Sequence, residues 1–118
     1  MAIQLETIRK PADFAALQRD GTSRAHPLLI VRSVRNGVEC TRYAFSTGRR
    51  LGGAVVRNRV RRRLREIVRF LAPRVETGWD VLIVARPDSA SASYRQLCES
   101  LTRLLARSGI LAGREGGA

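Results

Sequence analysis

Between Arg49 and Phe70 the chain reads RRLGGAVVRNRVRRRLREIVRF, with nine arginines, one acidic residue and apolar side chains at helical spacing. At about 100° per residue, Val60, Leu64, Ile67, Val68 and Leu71 fall on one stripe. Asn58, Arg61, Arg62, Arg65 and Arg69 gather on the neighbouring flank with Arg57 at its border, and Arg59 and Arg63 lie on the other flank beside Glu66. Such a helix must turn its stripe to a core and its guanidinium flank away from it. Any fold for this chain has to leave one long helix half exposed.

That exposed flank is unfavourable alone. The arginines at 57, 61, 65 and 69 repeat at i,i+4, and each like-charged pair costs a few tenths of a kcal/mol. A solvated helix face carries mixed signs, whereas Glu66 is the lone acid here. A membrane-surface helix needs its apolar face free to insert, and this one is required by the core. The remaining reading is phosphate binding. Guanidinium groups about 6 Å apart on successive turns can follow a nucleic-acid backbone. Asn58 offers a hydrogen-bonding group to a base edge or a 2′-hydroxyl. The net charge of +12 over 118 residues agrees, because a globular domain so basic repels itself without a polyanion. Lys10 is the only lysine against 21 arginines, and arginine offers phosphate a planar fork that lysine lacks.

The rest of the chain supplies an ordinary core. PADFAALQRD (11–20) predicts a short helix opened by Pro11 and stopped at Gly21, and residues 22–26 read as a loop. PLLIVRSV (27–34) and VECTRYAFST (38–47) read as strands, with Asn36-Gly37 between them as a hairpin signal. In the second strand Val38, Cys40, Arg42, Ala44 and Ser46 share one face, and Glu39, Thr41, Tyr43, Phe45 and Thr47 share the other. Both faces mix polar and apolar residues, so the packed one is left open. The long helix spans Val55 to about Leu71 and ends before Pro73. DVLIVAR (80–86) predicts a buried central strand. A final helix follows, with a Ser93/Gln96 capping box, a stripe of Leu97, Leu101, Leu104 and Leu105, and Gly109 as its stop. The order helix, strand, strand, helix, strand, helix predicts a small α+β sandwich. Residues 1–118 are expected to form a single domain, with 1–10 an extended arm and 110–118 a flexible tail.

Chemistry of its own is sparse. His26 is the lone histidine, Asp13, Asp20, Asp80 and Asp88 are scattered, and Cys40 and Cys98 have no metal-ligand spacing. The cysteines and the lack of a long apolar run predict a reduced, cytoplasmic protein.

The stretch G-R-R-L-G-G-A-V-V-R-N-R-V-R-R-R-L-R-E resembles the signature of the bacterial ribonuclease P protein family, roughly S-K-K-x-G-x-A-V-x-R-N-R-x-K-R-x-x-R. Asp13-Phe14, Gly21-Thr22-Ser23, the Asp80–Arg86 strand and Tyr94 extend the resemblance. It departs where Gly48 and Gly53 replace a serine and often an asparagine, and where Gln18 and Arg32 stand in place of aromatics. The resemblance implies an αβββαβα order, with a small mixed sheet and a left-handed β-α-β crossover against the usual rule. That order has one strand more before the long helix, either a short one or half of 38–47. It also implies a function, as the protein subunit that joins a large catalytic RNA to remove the 5′ leader of precursor tRNA by Mg²⁺-dependent hydrolysis. The ion would be held mainly by RNA, with no organic cofactor, no catalytic residue in this chain, no membrane and no obligatory protein partner. By resemblance Arg57, Asn58, Arg59, Arg61, Arg62, Arg65 and Arg69 dock the RNA subunit. Phe14, Gln18, Arg32, Arg49, Arg50 and Arg86 are expected to line the leader cleft. A ribosomal protein or a DNA-compacting protein would carry similar charge, and the partner distinguishes them.

Overall fold

Strand alternation decides which side of the sheet is packed. In a computed structural model, which describes residues 5–111, five strands form one mixed sheet in the order β1-β4-β5-β3-β2. They are β1 (Glu6–Thr7), β2 (Thr22–Ala25), β3 (Leu29–Arg35), β4 (Arg42–Thr47) and β5 (Trp79–Ala85). β4 runs parallel to β1 and β5, while β3 runs antiparallel to β2 and β5. The register sets Val31 beside Ile83, and Tyr43 beside Val81. These residues and Leu29 are buried on the face covered by α2 (Ala54–Leu71) and α3 (Tyr94–Arg107). Tyr43, Phe45 and Thr47 therefore point to the core side, which settles the face that the sequence leaves open.

The two large helices form as their periodicity predicts. Val60, Leu64, Ile67, Val68 and Leu71 of α2 are all buried, as are Leu97, Leu101, Leu104 and Leu105 of α3. Ser93 Oγ accepts the Gln96 N–H (3.1 Å), and Gln96 Oε1 accepts the Ser93 N–H (2.8 Å), completing the capping box. Helix α1 (Pro11–Asp20) lies over β3 and β5 on the opposite face and buries only Leu17. A Cβ at Gly21 would collide with the Leu17 carbonyl oxygen, so the chain needs glycine where α1 turns into β2.

Three expectations are corrected. Residues 22–25 are not loop but β2, a short edge strand whose four residues are all exposed and which carries no apolar alternation to reveal it. Counted after α1, it is the additional strand before the long helix. Second, Asn36-Gly37 does not make a two-residue hairpin, because β5 lies between β3 and β4. Asn36 instead uses its side chain. Oδ1 accepts the Val38 N–H (2.9 Å), and Nδ2 donates to Cys40 O and Asp80 Oδ1 (3.0 Å each). Residues 36–41 thereby bridge the start of β5, and β4 begins at Arg42 rather than Val38. Third, the expected tail starts too early. Ile110 is fully buried, its carbonyl accepts the Glu76 N–H (2.8 Å), and Leu111 pairs with Val75. Residues 112–118 of that tail, and 1–4 of the expected arm, lie outside the described residues. Within the arm, Glu6–Thr7 pairs with β4 and Ile8 is buried.

Candidate nucleic-acid interface

The structure sorts the α2 arginines into two kinds. Arg59 Nη2 donates to Ala90 O (3.2 Å) and Arg63 Nη1 to Ala92 O (3.1 Å), which fastens α2 to the segment entering α3. Arg61 donates from Nη1 to Asn58 Oδ1 (2.8 Å) and from Nη2 to Thr47 Oγ1, tying α2 to the end of β4. Arg57 is half-buried, with its Nε shielded and unpartnered. Arg62, Arg65 and Arg69 are exposed, and Arg65 stands over the Phe45 ring at 5.8 Å from its centroid. Among the described residues no arginine from Arg49 to Arg69 has a carboxylate within ion-pair distance, so Glu66 neutralises none of them directly. The outer flank is a row of charge with its donors available.

A groove of about 240 Å³ adjoins that row. Phe14 from α1, Tyr43, Ala44 and Phe45 from β4, and Arg61 and Arg65 from α2 line it, together with Thr7 and Ile8. It exists because β1 pairs only with Arg42 and Tyr43, leaving the later residues of β4 as a sheet edge. Phe14 is 36% exposed there. Burial pushes the Tyr43 phenol up to about 12, so it remains neutral and packs as an apolar ring. With Tyr43 buried and Phe45 packed against the core, Phe14 is the ring exposed for a base to stack on, beside guanidinium groups that can pair with phosphates.

The other predicted cleft residues are dispersed. Arg49 and Arg50 are exposed on a 3-10 turn just before α2, and Gln18 is exposed on α1. Arg32 turns its guanidinium to the end of α1 rather than to open space, donating to Leu17 O, Gln18 O and Ser23 Oγ. Arg86 lines a separate recess of about 400 Å³ with His26 and Asp88. His26 has a structural role: its Nδ1 lies 2.8 Å from Ser100 Oγ and accepts the Leu28 N–H (3.3 Å), holding the β2–β3 connection to α3.

Sequence reasoning missed one cluster beneath α1. Arg42 Nε and Nη2 donate to the two oxygens of buried Asp80 (2.8 and 2.9 Å), and Arg42 Nη1 approaches Asp13 at 3.4 Å. The hydrogen bond to Asp80 holds the Arg42 guanidinium above its usual range. A lone acid opening the apolar run DVLIVA was the available signal, because a buried carboxylate requires donors.

The ribonuclease P family model matches residues 4–109. The ribonuclease P protein component of Roseiflexus castenholzii is 40% identical over 107 residues, covering 90% of this chain and 88% of the relative. That of Chloroflexus aggregans is 42% identical over 108 residues, covering 88% and 78%. The RNase P protein of Staphylococcus aureus superposes with a TM-score of 0.83 at 26% identity, over 92% of this chain and 99% of that one. The Thermotoga maritima RNase P protein gives 0.78 at 26% identity, over 86% and 96%.

Proposed function

The chain belongs to the ribonuclease P protein family, and from that premise we propose that it is the protein subunit of a cytoplasmic tRNA 5′-processing ribonucleoprotein. It binds a catalytic RNA through the open flank of α2 and binds the leader of precursor tRNA through the groove beside it. The observation that carries this reading is the row Arg62, Arg65 and Arg69, without an ion-pair partner among the described residues and joined through Arg65 to the Phe14–Phe45 groove.

The chain's part in the reaction is binding and placement. Guanidinium groups on α2 neutralise RNA phosphates and release counterions, so the assembled RNA needs less Mg²⁺. Arg65 belongs to both the free row and the groove, so leader and RNA subunit meet beside it. Phe14 presents an aromatic face to a leader base, and Arg49 and Arg50 extend the charge toward the start of α2. Contacts made only by the leader raise affinity for precursor over mature product. Among the described residues no three histidine, cysteine or acidic side chains gather as metal ligands. In this reading the Mg²⁺ ion is held mainly by the RNA subunit and the substrate, and the bond is cleaved there. No helix among the described residues is long and apolar enough to cross a membrane.

Single-turnover cleavage of a precursor tRNA by a bacterial ribonuclease P RNA at limiting Mg²⁺, with and without this protein, tests the reading. The expected result is a rate that rises with protein, and a gain that shrinks when the leader is trimmed to one nucleotide. No gain despite tight RNA binding would point to a ribosomal role instead. Preference for duplex DNA would point to compaction.

A further inference from the structure

We infer that Arg32 and Arg42 are positioning residues which clamp the two ends of α1 to the open sheet face and so set the width of the Phe14 groove. The inference rests on the leader-binding role proposed above for that groove.

Helix α1 has little else to hold it. Leu17 is its only buried residue, against five on α2. At its C-terminal end Arg32 commits every arm of its guanidinium: Nε to Leu17 O (2.6 Å), Nη2 to Gln18 O (2.8 Å) and Nη1 to Ser23 Oγ (2.7 Å). Gly21 N–H already donates to Leu17 O (3.0 Å), so Arg32 adds a second donor there and supplies Gln18 O with one, and its charge answers the negative end of the helix dipole. Gly21 keeps the path clear, since a Cβ there would press on Arg32 Cγ at 3.0 Å.

The N-terminal end is held from a neighbouring strand. Asp80 orients Arg42 through the two-pronged contact, and Asn36 Nδ2 adds a third donor to that carboxylate at 3.0 Å. The remaining Arg42 arm stands 3.4 Å from Asp13 Oδ2, one residue before Phe14, as an ion pair without a hydrogen bond. Arg32 pairs in register with Leu82 and Arg42 with Asp80, so both stand on one face with β5 between them. The pitch of α1, and with it the reach of Phe14, follows from two polar anchors rather than from an apolar seam.

The test uses full-length protein assembled with a bacterial ribonuclease P RNA. Arg32→Met removes one clamp. Asp13→Asn loosens the other without stranding buried Asp80, which Arg42→Met would leave unpaired. Three quantities are read: amide exchange across α1, affinity for precursor tRNA with a long or a one-nucleotide leader, and affinity for the RNA subunit. For Arg32→Met we expect α1 amides to exchange about tenfold faster and long-leader affinity to fall about tenfold, the loss of charge-assisted hydrogen bonds. Affinity for the one-nucleotide substrate and for the RNA subunit should stay within about twofold, since those contacts are distant and independent. Arg32→Lys, which keeps the charge but not the fork, should restore part of the leader discrimination. Asp13→Asn should follow the same pattern more weakly. Unchanged α1 exchange in both variants would overturn the clamp. Faster exchange with intact leader discrimination would overturn the positioning role. If wild-type protein shows no leader-length dependence, the groove reading itself fails, while the exchange data still decide the clamp.

Discussion

Helices α1 and α2 lie on opposite faces of one sheet and are held by opposite means. α2 sinks five apolar side chains into the core, so its seating does not depend on its outer arginines Arg62, Arg65 and Arg69, which stay exposed. α1 buries one leucine and leans on arginines from beneath it. The contrast extends to charge within α2 itself, where Arg59 and Arg63 are spent on backbone carbonyls while Arg62, Arg65 and Arg69 face solvent. A count of basic residues therefore overstates a binding surface. What matters is which guanidinium groups still have donors to give.

The contrast can be broken most directly in the core. Leu64→Ala should cost about 3 kcal/mol by urea denaturation, whereas Leu17→Ala under α1 should cost about 2 kcal/mol. Equal losses would show that α1 is seated as firmly as α2. A second effect of similar size lies at alkaline pH. The Tyr43 phenol rises from 10.0 to about 12 in the folded chain, so the unfolded chain loses its proton first. The Tyr43 contribution to stability is constant below about pH 10 and is lost as pH climbs to about 12, about 2 to 3 kcal/mol in total. Tyr43→Phe should flatten that slope, and an unchanged pH profile in the variant would place the titration elsewhere. The division among arginines gives the smallest change. Arg63→Met should cost about 1 kcal/mol of stability with little change in RNA affinity. Arg62→Met should leave stability within about 0.5 kcal/mol and lower the salt slope of RNA binding by about 1. The reverse pattern would exchange the roles of the two flanks.

The parts legible in the sequence are those written in local periodicity. The α2 stripe, the α3 stripe and the Ser93–Gln96 cap all depend on residues three or four apart. β2 was illegible because Thr22–Ala25 is exposed along its length and gives no alternation. Asn36-Gly37 misled because its local signal is satisfied differently, with Asn36 bound to Asp80 44 residues away. The same limit hid the work of Arg32, whose partners are carbonyl oxygens of a helix 14 and 15 residues earlier. The arginine row was legible as charge and spacing. Its split into spent and free groups depended on where Ala90 and Ala92 come to rest.

The insertion of β5 between β3 and β4 carries a consequence for how the molecule comes into being. β5 is the last of the described strands and the centre of the sheet, paired to β3 along its whole length and to β4 from Asp80 onward. A chain growing from its N-terminus can join β2 to β3 early, but β4 has only the two-residue β1 for company until residue 85 is available. Such distant pairings slow folding compared with a helical bundle of equal size. During that interval the apolar stripe of α2 has no completed sheet to rest on, and its arginines are already in solution. Completion of the core therefore waits on seven residues, Trp79–Ala85.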